Sequence, residues 1–147
     1  MRERLPASRR GFLGFCGAVL FGWLPGARPL RAVPFPVRRS PFPGDHPTPR
    51  PGITAEKVLT PAQLADSPDA IPVFDLVREI PGVVDGIRCQ CGCADLEGFY
   101  SLLSCFEDHG MARHCVICQG EGRLVHRLHK AGRSLDQIRK AIDARYG

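Results

Sequence analysis

The run Leu124-Val125-His126-Arg127-Leu128-His129-Lys130-Ala131-Gly132-Arg133-Ser134-Leu135-Asp136-Gln137-Ile138-Arg139-Lys140-Ala141-Ile142 decides the fold class. Leu124, Val125 and Leu128 recur at helical spacing, and Gly132 then stops the pattern. The chain restarts at once. Ser134 with Gln137 three positions on is a capping-box signature, and Leu135, Ile138, Ala141 and Ile142 make the buried stripe of a last helix ending at Tyr146. The spacing thus predicts one helix over His114 to Ala131, weakened in its middle by Gly120 and Gly122, and another directly after it.

Working towards the N-terminus, Phe99 to Asp108 reads as a further helix with Leu102, Leu103 and Phe106 facing inward. Ile71 to Ile87 holds two apolar pieces, Val73-Phe74-Asp75-Leu76-Val77 and Val83-Val84, divided by Pro81-Gly82. They read as a broken pair of short helices, with a strand as the alternative for either piece. Thr60-Pro61-Ala62-Gln63 opens a short helix, with Thr as N-cap and Pro at the first helical position. The class is all-α, over a domain of 53–147. With only 7% aromatic residues in the chain its core is modest, so a cross-link or a metal would add materially to stability.

The N-terminal third is different in kind. Met1 to Arg10 is Arg-rich, and Gly11 to Leu24 is apolar, but its 14 residues fall short of the roughly 20 that a spanning helix needs. The junction Ser8-Arg9-Arg10-Gly11-Phe12-Leu13 matches the twin-arginine export pattern, so 1–32 is read as a signal peptide. Small residues near Ala27 and Ala32 offer cleavage points, and an uncleaved signal would leave the protein tethered to the membrane. Cys16 is read as an apolar residue of this signal. From 25 to 52, nine of 28 residues are Pro and five are Arg, a composition that favours extended conformers and reads as a linker.

The net charge of +5 invites a nucleic-acid partner, but its distribution removes that reading. Residues 1–52 hold nine Arg against Glu3 and Asp45, a balance of +7, while 53–147 balance at −2. The folded part is mildly acidic, and the basic linker lacks interleaved aromatic platforms for bases. The expected partners are a metal ion, the twin-arginine translocase and an unidentified periplasmic protein.

Six of the seven cysteines lie within 30 residues, spaced C-x-C-x-C-x11-C-x9-C-x2-C. Cys89, Cys91 and Cys93 can project to one side of a turning loop, and Gly92 lets that loop bend tightly. Cys115 and Cys118 share a helix face, as do Cys105 and His109. His109 is therefore the first nitrogen-ligand candidate and His114, four before Cys118, the second; His126 and His129 read as a solvated face and His46 lies in the linker. Six cysteines allow 15 disulfide pairings, and a bond inside C-x-C is strained, so staples too require all six sulfurs to converge. The export route leans towards metal, because a twin-arginine passenger folds in the reducing cytoplasm where thiols persist. Six thiolates on one divalent ion leave about −4, so either about four bind one ion or several ions share sulfurs; Arg88 and Arg113 could offset part of the charge. Soft thiolates select zinc or Cu(I), with an iron–sulfur centre placed behind them, and Gln119 after Cys118 argues against haem attachment.

Cys89-Gln90-Cys91-Gly92-Cys93, Ser101-Leu102-Leu103-Ser104-Cys105-Phe106, Cys115-Val116-Ile117-Cys118 and the helix with Ile138-Arg139-Lys140-Ala141-Ile142-Asp143 together resemble the PCYCGC-motif proteins. These are small exported bacterial proteins, often lipoproteins. The resemblance covers roughly residues 71–147, about half the chain. Arg88 and Gln90 stand where the family motif has Pro and Tyr, and a twin-arginine signal stands in place of a lipobox. What the resemblance implies is a metal site without a known reaction.

The reading is an exported, periplasmic metal-binding protein, with Cys89, Cys91, Cys93, Cys105, Cys115, Cys118 and His109 as metal ligands and no catalytic residues. Two rival classes stand beside it: a disulfide-stapled interaction module, and a thiol–disulfide oxidoreductase using Cys115 and Cys118 at a helix N-terminus. The acidic residues Glu107, Asp108 and Glu121 read as solvent-facing helix charges.

Overall fold

A computed structural model describes residues 44–108 and 110–147. The segment read as a signal peptide, most of the stretch read as a linker, Cys16 and His109 lie outside the described residues. Within them the domain is all-α: α1 (Ile71–Glu79), α2 (Pro81–Asp85), α3 (Val116–Lys130) and α4 (Leu135–Tyr146), with short 3₁₀ turns before α1 and between α2 and α3. No strand occurs among the described residues, and the extended backbone contributes one isolated bridge, Val58 to Glu107.

Helix boundaries follow local chemistry. α1 stops because Ile80 precedes a proline and is driven off the helical region, to φ −137° and ψ 46°, while Pro81 takes the first position of α2. The break therefore falls one residue ahead of Pro81-Gly82. α3 starts at Val116, two residues later than the spacing predicts, with Cys115 in extended conformation as its N-cap. Gly132, at φ +73°, closes it: the Arg133 N–H reaches the Leu128 carbonyl at 3.1 Å and the Gly132 N–H the His129 carbonyl at 2.9 Å, the paired bonds of a Schellman end. The Ser134 and Gln137 side chains then exchange bonds with each other's backbone N–H, at 3.4 and 3.1 Å, and α4 begins.

The two helical glycines face neighbours. A Cβ on Gly122 would stand 3.0 Å from Phe106 Cζ and 3.2 and 3.3 Å from Val73 and Val77, so this glycine is where α3 meets α1 closely. A Cβ on Gly120 would stand 2.5 Å from the Tyr146 hydroxyl of α4. The core between the helices is built from Val73, Phe74 and Val77 of α1, Leu124 and Val125 of α3 and Ile138 and Ile142 of α4. Phe74 and Phe106 meet edge to face at 4.9 Å.

Two segments depart from expectation. Thr60 and Gln63 do form their reciprocal bonds, at 2.8 and 3.4 Å, yet the helix they open is a single 3₁₀ turn, Ala62–Leu64. Phe99 to Asp108 is not a helix either: only Leu103–Phe106 turns, again as 3₁₀. Leu102, Leu103 and Phe106 do point inward, but Ser101, Ser104, Cys105 and Glu107 are buried as well. A segment buried on every side cannot use an amphipathic helix face, and its backbone bonds go elsewhere: the Leu102 N–H to Ile87 at 2.7 Å, and the Leu59 N–H to the Phe106 carbonyl at 3.1 Å.

The last stretch read as linker is bound to the helices. The Arg50 guanidinium and backbone N–H both donate to Asp85, at 2.7 and 2.8 Å, and Ser101 Oγ donates to the same carboxylate at 2.7 Å. Tyr100 Oη donates to the Thr48 carbonyl, and Arg139 to that of Pro47. The Arg88 backbone N–H donates to His46 Nδ1 at 2.9 Å. A proline-rich segment can lie on a surface this way because its carbonyls stay available to side-chain donors.

Candidate metal centre

The site is built where three elements meet: the loop leaving α2, the buried turn at Cys105 and the first turn of α3. In the loop, Gly92 takes φ +95°, a left-handed conformation that favours glycine, and a 3₁₀ turn follows over Cys93–Asp95. Alternate residues are anchored away from the sulfurs. Gln90 donates through its backbone N–H to Glu121 Oε1 and through its amide to Asp143 Oδ1, both at 2.9 Å. Arg88 is paired with Asp95. Cys89, Cys91 and Cys93 are left on one side, as their alternation predicts.

Cys118, in the first turn of α3, completes the group. The sulfurs of Cys89, Cys91, Cys93 and Cys118 all lie within 4.8 Å of one another. The sulfur–sulfur contacts are 3.2 Å for Cys89 to Cys91, 3.1 Å for Cys91 to Cys93, 3.6 Å for Cys89 to Cys118 and 3.5 Å for Cys91 to Cys118. A tetrahedron with Zn–S bonds of ~2.3 Å has edges of about 3.8 Å, so this donor set closes on a thiophilic ion once its shortest contact, 3.1 Å, opens by about 0.7 Å. All six cysteines of the domain are free thiols in this structure.

The remaining two cysteines divide. Cys105 is fully buried, and its thiol interacts with those of Cys118 and Cys89, which pull it down to about 7. Cys115 is half-buried and outside the four-sulfur group; its sulfur accepts from the Cys118 N–H at 3.5 Å, as an N-cap. Cys93 and Cys118 are shifted the other way. Burial, then Cys91, pushes Cys93 up to about 12, and the Cys105, Cys89 and Cys91 thiols push Cys118 well above the ordinary thiol range. A cation placed among the sulfurs would favour their thiolate form.

The nitrogen candidates contribute little among the described residues. His114 is exposed beside the site, His126 is paired with Glu79 on the surface, and His129 is exposed. His46, read as a linker residue, instead bridges Arg88 to Asp143 behind the cysteine loop. Arg88 and Arg113 are occupied by Asp95 and Asp66.

Glu107 and Glu121 are both buried, against the sequence reading that placed them in solvent, and Glu121 is the one at the cysteines. It is fully buried rather than solvent-facing, with one oxygen bonded to the Gln90 N–H and the other, Oε2, without a hydrogen-bond partner. Its carboxyl also interacts with the Cys89 thiol, and burial raises it to about 8. Its position three after Cys118 on α3 is the signal that could have found it, since i and i+3 share a helix face.

These features define a small all-α, cysteine-rich domain with a four-thiol group, buried except for the half-buried Cys91, able to hold a metal ion. No protein-family model matches this chain, and no curated protein or solved structure matches it either. No helix among the described residues is long and apolar enough to cross a membrane.

Proposed function

We propose that this chain is an exported metal-binding protein whose Cys89, Cys91, Cys93 and Cys118 thiolates hold zinc or Cu(I), for storage, delivery or structural support. One observation carries the reading: four sulfurs from two separate elements lie within 4.8 Å of one another without a disulfide among them. Thiolate softness selects zinc and Cu(I) over hard cations. An iron–sulfur cluster interposes its own iron and sulfide atoms and spreads its cysteines further, which favours a bare ion. The ion would draw the protons off the four thiols and cancel their mutual repulsion; the loop and α3 supply the ligands, and Glu121 with Gln90 fixes the loop.

Export through the twin-arginine route rests on the Ser8 to Leu13 pattern and is consistent with a centre loaded before translocation. The resemblance to the PCYCGC-motif proteins points the same way. The test is native mass spectrometry with elemental analysis on protein purified anaerobically without chelators, with a free-thiol count. Integral zinc or copper bound per chain is the expected result. A metal-free mass that stays metal-free on adding zinc or Cu(I) to the reduced protein overturns the reading, and a mass lowered by three disulfides replaces it with a stapled scaffold.

A further inference from the structure

We propose that the centre takes a second class of reactant, low-molecular-weight disulfides, which enter at Cys91 and leave a Cys91–Cys118 disulfide in place of the bound ion; this rests on the metal-binding reading above. Access selects the point of entry. Of the six cysteines of the domain, Cys91 and Cys115 are half-buried, while Cys89, Cys93, Cys105 and Cys118 are buried. Thiol–disulfide exchange needs access to the attacking sulfur, so an outside disulfide reaches those two first. Cys91 is the one of the pair that belongs to the four-sulfur group. Cys115 meets Cys118 through the backbone N–H instead of through sulfur.

Contact then selects the second cysteine. The Cys91 sulfur lies 3.2, 3.1 and 3.5 Å from those of Cys89, Cys93 and Cys118. A bond to Cys89 or Cys93 would close a strained C-x-C ring, whereas Cys118 is 27 positions away on α3 and closes a long loop. An S–S bond of ~2.05 Å is about 1.5 Å shorter than the Cys91–Cys118 contact, a distance that a turn of the Cys91 side chain can cover. The exchange balances in two steps. The Cys91 thiolate attacks one sulfur of the incoming disulfide, forming a mixed disulfide and releasing the first thiolate; the Cys118 thiolate then attacks the Cys91 sulfur, forming the internal bond and releasing the second. Two cysteines are oxidised, the incoming disulfide is reduced by the same two electrons, and both released thiolates take protons from water. The ion keeps Cys89 and Cys93 and loses two of its four donors, fewer than a closed thiolate site supplies.

The test treats the reduced, metal-loaded full-length chain with oxidised glutathione under anaerobic conditions, and reads metal per chain after desalting together with a peptide map of the disulfides. Loading uses zinc, or Cu(I) where zinc is not taken up. Expected are loss of the bound metal, two reduced glutathiones formed per chain and a Cys91–Cys118 bond, with Cys115→Ser behaving as the wild type. Cys118→Ser, treated metal-free, should stop at a glutathione adduct on Cys91. Metal retained, metal released with any bond other than Cys91–Cys118, or equal release by reduced glutathione overturns the proposal and leaves the metal-binding reading standing. A reduced chain that takes up neither zinc nor Cu(I) removes both. Should Cys118→Ser lose its helical circular dichroism, the wild-type map decides.

Discussion

Cys89 and Cys118 stand 29 positions apart in sequence, on different elements, and their sulfurs lie 3.6 Å from each other. The link between loop and helix is what a bound ion would close. Cys118→Ser is expected to weaken metal binding by roughly tenfold or more, since loss of a ligand exceeds the effect of losing an outer hydrogen bond. Cys115→Ser, which removes only an N-cap acceptor, should retain metal near the wild-type level. Elemental analysis after desalting at matched protein concentration compares the two; equal loss in both would place Cys115 among the ligands.

Glu121 gives the metal-free protein a pH signature. Its folded-state value of about 8 lies above the ordinary 4.5, so the stability it contributes is fully present below the ordinary value and lost as pH rises through about 8. The melting temperature of the metal-free, reduced chain should therefore fall between pH 5 and 9. Glu121→Gln keeps a group that can accept from the Gln90 N–H and should flatten that slope. A slope unchanged in Glu121→Gln would assign it to other groups.

Asp85 works in the opposite sense. Its burial alone would raise it, but the Arg50 side chain and N–H and the Ser101 hydroxyl together hold it below the usual carboxylate value. The stability it lends is present above that value and is lost as pH falls through the depressed one. Asp85→Asn is expected to cost about 2 kcal/mol in urea denaturation, the scale of hydrogen bonds to a charged group. It should also expose the Pro47 to Arg50 stretch to limited proteolysis, because Arg50 is the strap's main tie.

Gly92 holds the cysteine turn at φ +95°. Alanine there would force a side chain into the left-handed region, costing about 1–2 kcal/mol. Gly92→Ala should lower both the melting temperature of the metal-free chain and its metal affinity, whereas Gly98→Ala, at a comparable φ of +88° but outside the centre, should lower only the first. Competition titration with a chromophoric chelator separates the two effects.

Much of this was legible in the residues. Gly132 and the Ser134–Gln137 pair placed the α3–α4 junction correctly, because capping chemistry is local and its partners are three residues apart. Pro81 announced the break after α1 for the same reason. Phe99 to Asp108 misled, since apolar spacing there mimics a helix face while the backbone bonds to Ile87 and Leu59 decide its shape. Glu121 misled because charge usually means solvent; its partners, Gln90 and Cys89, lie some 30 positions away.

By itself the sequence determined the all-α class, the turn at Gly92 and the presence of a dense thiol set, because periodicity, glycine conformation and residue chemistry act over a few positions. Only the tertiary structure decided which thiols meet. Cys118 joins the C-x-C-x-C loop, Cys105 lies beside it and Cys115 stays at the rim. That selection depends on how closely α3 seats on α1 at Gly122, a packing distance set by side chains remote in sequence and not by any local pattern.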